Sequence, residues 1–192
     1  MHGLTSSRTL LCALLYFALI LQTYHYVSGI SFYGEYLHWT GEQSVRLLIV
    51  AIIITPLRLL FPRADWVRWL LKHRRDIGIA TFFYAAAHTI AYLLNQENID
   101  NIVSSASTPE MLAGWLAFIV MLALAVTSND LSVQVLGKRW KLLHRTVFFC
   151  AALTFLHWVL TAFDPISAYL HLIVVIVLLA WRVSAQFISR RS

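Results

Sequence analysis

Long apolar runs separated by short polar intervals make up most of this chain. Six stretches come close to the roughly 20 apolar residues a membrane helix needs, at about 9–28, 43–61, 77–95, 111–128, 144–163 and 166–186. No interval between them is long enough to fold as a soluble domain. The pattern predicts an all-α polytopic membrane protein, a six-transmembrane-helix bundle forming a single domain over residues 1–192. No Gly-rich nucleotide loop, internal repeat or low-complexity segment interrupts it. The first run follows Arg8 and lacks a small-residue cleavage pattern, so it is read as a retained helix rather than a signal peptide.

The polar intervals divide by charge, and this orients the bundle. At the end of the second run and between it and the third lie Arg58, Arg63, Arg68, Lys72, Arg74 and Arg75. Between the fourth and fifth lie Lys138, Arg139 and Lys141, with Arg145 at the start of the fifth. Arg8 marks the N-terminus and Arg182, Arg190 and Arg191 the C-terminus. The remaining intervals carry no Lys or Arg and hold Glu35, Glu97, Asp100 and Asp164. Basic loops stay on the cytoplasmic side, so six spans with both termini cytoplasmic satisfy every loop. Trp39, Trp66, Trp69, Trp115, Trp140 and Trp181 fall near run ends, as an interfacial aromatic belt requires.

Composition agrees. The chain is 59% hydrophobic and 12% charged, against about 45–50% and about 25% in soluble domains. Its net charge of +6 is a topology signal and a contact for anionic membrane lipid, not a nucleic-acid footprint. Cys12 and Cys150 both lie inside apolar runs, which argues against a disulfide framework or a cysteine metal site.

Histidines inside the runs carry the candidate chemistry, because an ionisable side chain in a membrane is costly. His2 and His73 fall outside the runs and call for no explanation at this level. His25, His38 and His171 fall near the outer surface, where an imidazole reaches water; a quinone or partner-docking site is the functional reading of the same cluster. His88 and His157 differ. Counting from the cytoplasmic ends of the third and fifth runs, they lie roughly 16 Å and 20 Å deep, on helices running the same way. Two facing imidazoles can take both axial positions of one haem iron between helices. Tyr84, Ala85, Ala91 and Tyr92 share the face of His88, the alanines leaving room for a flat macrocycle. Leu153, Thr154, Leu160 and Thr161 share that of His157, where a threonine hydroxyl is placed to orient a ligand ring. The competing reading is that both histidines only hydrogen-bond to neighbouring helices. His144 sits at the cytoplasmic end of the fifth run, with Arg75 at its level on the third, so no second bis-histidine pair is complete there. The step from His144 to His157 turns an ideal helix by about 140°, so the two do not share one stripe.

Four segments resemble, in order and spacing, the ferric reductase-like transmembrane family: TGEQSVRLLIVAIIITPLRLL, HRRDIGIATFFYAAAHTIAYL, LALAVTSND and LGKRWKLLHRTVFFCAALTFLHW. The resemblance spans about residues 40–182. Within the family it points to the haem-binding subunits of bacterial methionine sulfoxide reductase systems. It implies a six-helix protein of the bacterial inner membrane holding one or two b-type haems, with FMN as a further cofactor. Electrons would come from cytoplasmic reduced flavin or a flavin reductase and leave to a periplasmic molybdopterin reductase that repairs methionine sulfoxide in oxidised proteins. The family pattern matches His88, His144 and His157; a fourth histidine of the wider family is missing, and Arg75 stands near its level. His144 would then serve a second haem with a non-histidine partner, or a flavin. Arg74, Arg75 and Arg145 are the candidates to bind haem propionates or a flavin phosphate, because the guanidinium fork pairs with carboxylate or phosphate. Lipid contact is the alternative reading for each. The wider family's FAD/NADPH domain is not read in these residues, so the donor is expected to be separate. The chain is thus expected to be an electron-transfer subunit rather than a complete enzyme. Two rivals keep the histidines: a stand-alone ferric or cupric metalloreductase, and a transporter or proton channel with a histidine relay.

Overall fold

The computed structural model describes residues 2–162 and 164–189; the side chains of residues 2–6, 182 and 184–189 are not described, and Arg190 and Arg191 lie outside the described residues. Among the described residues every regular element is a helix. In chain order these are α1 (His2–Val27), α2 (Tyr33–Leu60), α3 (Asp65–Leu94), α4 (Ile99–Ala106), α5 (Pro109–Val126), α6 (Asp130–Leu136), α7 (Lys138–Arg145), α8 (Val147–Thr161) and α9 (Ile166–Ser189). Helices satisfy their own backbone groups, which a lipid environment demands.

Five candidate spans are long and apolar enough to cross a bilayer: Ser7–Val27, Tyr33–Leu60, Asp65–Leu94, Pro109–Val126 and Lys138–Thr161, the last combining α7 and α8. The chain is a multi-pass membrane protein. The sixth expected span corresponds to α9, whose described apolar stretch is the shorter Ile166–Trp181.

Turn chemistry places the boundaries. Gly29, at φ 73°, follows α1, and the amide of Ile30 returns to the His25 carbonyl at 2.8 Å. The Asn98 side chain caps α4 by accepting from the Asn101 amide at 2.9 Å, and Asn129 caps α6 from Ser132 at 2.8 Å. Pro109 opens α5, where its missing N–H costs nothing. Gly137, at φ 50°, turns the chain between α6 and α7. Pro56 does not close its helix: α2 continues to Leu60 with Pro56 buried inside it.

The bundle is organised around α2, which packs most extensively on α3 and also meets α1, α8 and α9; α5 pairs with α8. Small and hydroxyl side chains allow the α2–α3 approach. Ser44 donates to the Thr81 carbonyl at 3.0 Å, and Ala80 is fully buried. Leu48, Ile52, Ala117, Met121, Cys150 and Ala151 form one core cluster, joining α2 to α5 and α8. A second, of Val45, Ile49, Phe155, Trp158, Ala168 and Val175, joins α2 to α8 and α9. Helix α1 is more peripheral. It is held where the Tyr84 hydroxyl donates to the Leu15 carbonyl at 2.8 Å and where Arg8 pairs with Asp76 at 2.8 Å.

That last contact corrects the reading of His73 as needing no explanation. His73 lies within α3, 1% exposed, with Nδ1 3.3 Å from Asp76 and its ring against Trp69 at 4.6 Å. Arg8, Asp76 and His73 therefore form a polar tie between α1 and α3.

Candidate functional site

His88 and His157 come together. Their ring centroids are 6.3 Å apart and their planes lie at 88°. Each ring is held by the same device from a neighbouring helix. His88, on α3, donates through Nδ1 to the Leu37 carbonyl of α2 at 2.9 Å. His157, on α8, donates through Nδ1 to the Glu110 carbonyl of α5 at 2.7 Å. Four residues beyond each carbonyl stands a glycine under the ring. A Cβ on Gly41 would lie 2.9 Å from His88 Nδ1, and one on Gly114 would lie 2.8 Å from His157 Nδ1. Real side chains do not approach so closely, so each ring occupies space that only glycine leaves open.

This geometry decides the tautomer. A carbonyl oxygen only accepts, so Nδ1 carries the proton in both rings, and a neutral imidazole then keeps its lone pair on Nε2. A ring anchored through Nδ1 to a carbonyl is the usual arrangement of a metal-ligating histidine. Two metal–nitrogen bonds of about 2 Å, with the ring radii added, separate two axial imidazole centroids by about 6 Å. The observed 6.3 Å fits one iron between them.

The rings line a cavity of about 450 Å³, a volume in the usual range for cofactor sites. Its walls come from α2, α3, α5 and α8 and include Val45, Ala85, Met111, Phe118, Met121 and Trp158. It is mostly apolar, as a haem pocket should be. Among the described residues no group of three or more His, Cys, Asp or Glu side chains gathers as a metal site. The residues present fit a b-type haem.

Several neighbours differ from expectation. Ala85 and Tyr92 line the cavity, while Tyr84 and Ala91 are buried and do not. Thr154 and Thr161 line it too, but their hydroxyls bond to the Cys150 and His157 carbonyls of their own helix, at 2.9 and 2.7 Å. Neither hydroxyl therefore holds an imidazole; the carbonyls of Leu37 and Glu110 hold those of His88 and His157. Trp115 lines the cavity, with a buried indole N–H that has no partner among the described residues. Of the outer histidines, His38 alone lines the cavity, with its side chain 69% exposed.

His144 lies at the other, basic end. Its ring stacks on Trp140 at 3.9 Å and donates through Nδ1 to the Trp140 carbonyl at 3.1 Å. Nε2 lies 3.4 Å from the Ser128 hydroxyl, whose proton is directed to the Leu124 carbonyl at 2.7 Å. That leaves Nε2 with a weak partner. Arg74 and Arg75 are within electrostatic reach of His144. Arg74 donates to the Thr55 hydroxyl at 3.2 Å, and Arg75 pairs with Asp130 at 2.7 Å. Arg145 is exposed and has no ion-pair partner among the described residues. A turn at Thr146 separates α7 from α8, so His144 and His157 sit on different helices.

Sequence reasoning missed Gly41, Gly114 and the two carbonyls. The available signal was glycine inside an apolar helix, which costs about 1 kcal/mol against alanine and so marks a close approach.

The family described as ferric reductase like transmembrane component matches residues 40–155. The chain is 35% identical over 153 residues to the protein-methionine-sulfoxide reductase heme-binding subunit MsrQ of Rhizobium meliloti (strain 1021), covering 77% of this chain and 68% of that one. It is 28% identical over 158 residues to the MsrQ of Brucella ovis, covering 80% and 70%. No solved structure matches.

Proposed function

The chain belongs to the ferric reductase-like transmembrane family, and on that premise we propose that it is the haem-binding membrane subunit of a methionine sulfoxide reductase system. The observation that carries this reading is the facing pair His88–His157, each ring anchored through Nδ1 and seated over a glycine. A b-type haem held there would supply one-electron chemistry between ferric and ferrous iron. The residues have separable tasks. His88 and His157 would each supply an Nε2 lone pair to the iron. Leu37 and Glu110 fix the tautomer and raise the basicity of Nε2. Gly41 and Gly114 let the rings approach the backbone, and the apolar walls keep water out.

The basic end faces the cytoplasm in this proposal, with α9 as a sixth span, both termini inside, and the bacterial inner membrane as the site. His144, stacked on Trp140 with Arg74 and Arg75 nearby, forms the entry side. It would hold a second haem with a non-histidine partner, or FMN, the guanidinium groups meeting propionate or phosphate. Arg145, exposed at the same end, is a further candidate for that contact. Electrons would enter from reduced flavin or a flavin reductase and leave to an MsrP-like periplasmic molybdopterin reductase.

The test uses membrane vesicles of known orientation. Reduced flavin is supplied on the cytoplasmic face, and the haem absorption is followed as acceptors are added outside. Reoxidation that needs a molybdopterin methionine sulfoxide reductase with its substrate supports the proposal. Equally fast reoxidation by ferric or cupric ions alone identifies a metalloreductase instead, and protein without haem absorption excludes both.

A further inference from the structure

Helix α2 carries two opposite charges inside its span. Arg46 pairs with Glu42 at 2.7 Å, one helical turn apart. Glu42 lines the cavity; its side chain is 16% exposed, that of Arg46 47%. His38, a turn in the other direction, has Nε2 3.9 Å from Glu42 and also lines the cavity. Intramembrane charges are expensive and are retained where they act. An apolar pair would hold the helix as well, since ion pairs away from water rarely gain over well-packed hydrophobic residues. Had Glu42 been only a counter-ion for Arg46, it had no need to face the cavity. It follows Gly41, the residue beneath the His88 ring, and lies five residues beyond Leu37, the acceptor of that ring. One and a half turns of α2 thus carry a ligand's anchor, its seat and a carboxylate.

We propose that the Glu42–Arg46 pair sets the electron affinity of the centre held by His88 and His157, with the Glu42 carboxylate holding it low. This rests on the haem reading above. An anion in the wall stabilises ferric over ferrous iron, which carries one positive charge less. At about 10 Å and an effective dielectric of about 20, a unit charge changes an equilibrium by roughly tenfold. Arg46, farther from the cavity wall, offsets part of that field.

The experiment is a spectroscopic redox titration of purified wild type, Glu42→Gln, Arg46→Gln and the double variant, with haem content measured on each sample. Glu42→Gln should raise the ferrous-to-ferric ratio at fixed potential roughly tenfold, equivalent to about 59 mV for one electron. Arg46→Gln should lower it, and the double variant should fall between Glu42→Gln and wild type. A fully loaded Glu42→Gln protein with the wild-type ratio overturns the proposal. Where Glu42→Gln does not retain haem, Arg46→Gln decides: an unchanged or raised ratio overturns it. Wild-type protein without haem overturns the functional reading instead, so the two failures are distinct.

Discussion

Replacing Gly114 by alanine tests the seat of the His157 ring with a single methyl group. The added Cβ would lie 2.8, 3.0 and 3.2 Å from Nδ1, Cε1 and Cγ of His157, closer than ordinary contact on three ring atoms. The ring must then move away from α5, and the Glu110 carbonyl that holds it at 2.7 Å is on the same helix. Weakening that hydrogen bond costs about 1 kcal/mol, and overpacking adds about 1–3 kcal/mol. Losing the partner that orients a metal-ligating histidine typically costs about 10–100-fold in affinity, so haem retention through purification should fall steeply. The control is Gly78→Ala in α3, where a Cβ meets nothing within 4 Å. On helix propensity alone both substitutions should stabilise slightly, by about 0.5–1 kcal/mol. The assay is the haem-to-protein ratio after parallel purification, with thermal unfolding to verify folding. A Gly114→Ala protein as fully loaded as Gly78→Ala would refute the reasoning.

Gly41→Ala should behave like Gly114→Ala, since its Cβ would lie 2.9 Å from His88 Nδ1; the same haem ratio checks it. Asp76→Asn removes the negative charge and one of the two carboxylate oxygens that meet Arg8 and His73 and should destabilise by about 1–3 kcal/mol, lowering the melting temperature in detergent by about 2–4 °C per kcal/mol. Arg68→Gln, at an exposed pair with Asp65, should leave it unchanged. The near-perpendicular rings of His88 and His157 should give the ferric protein a strongly anisotropic low-spin electron paramagnetic resonance signal; an ordinary rhombic low-spin signal or a high-spin signal would contradict that geometry. His144→Ala should lower total haem or flavin while leaving that signal intact, and unaltered cofactor content would remove His144 from the proposed entry site.

The apolar rhythm of the chain made the helices legible, but not their ends. Hydropathy starts the second run at about residue 43, whereas α2 begins at Tyr33. Glu35, His38 and Glu42 depress the hydropathy there, yet His38 and Glu42 recur at helical spacing along the cavity. Polar residues that serve a site look like a loop to a hydropathy average. The apolar pattern predicts one helix for the fifth run from residue 144, and the turn at Thr146 carries no proline or glycine to announce it. Matched depth identified His88 and His157, because depth is set by rise per residue. What anchors them was hidden, since a backbone carbonyl leaves no mark in the sequence and the threonines beside His157 offered a more visible donor. His73 was misjudged because its partners, Asp76 on the same helix and Arg8 at the far end of another, meet only through the packing of α1 on α3.

The central claim is that one iron is shared by His88 and His157, and quantified haem spectra of single-histidine variants test it most directly. Reduced-minus-oxidised absorption with pyridine haemochrome determination on wild type, His88→Ala and His157→Ala is the measurement. Loss of the same low-spin b-type component in both variants, with the protein still folded, is the predicted result. Full retention of that component in either variant would contradict the account.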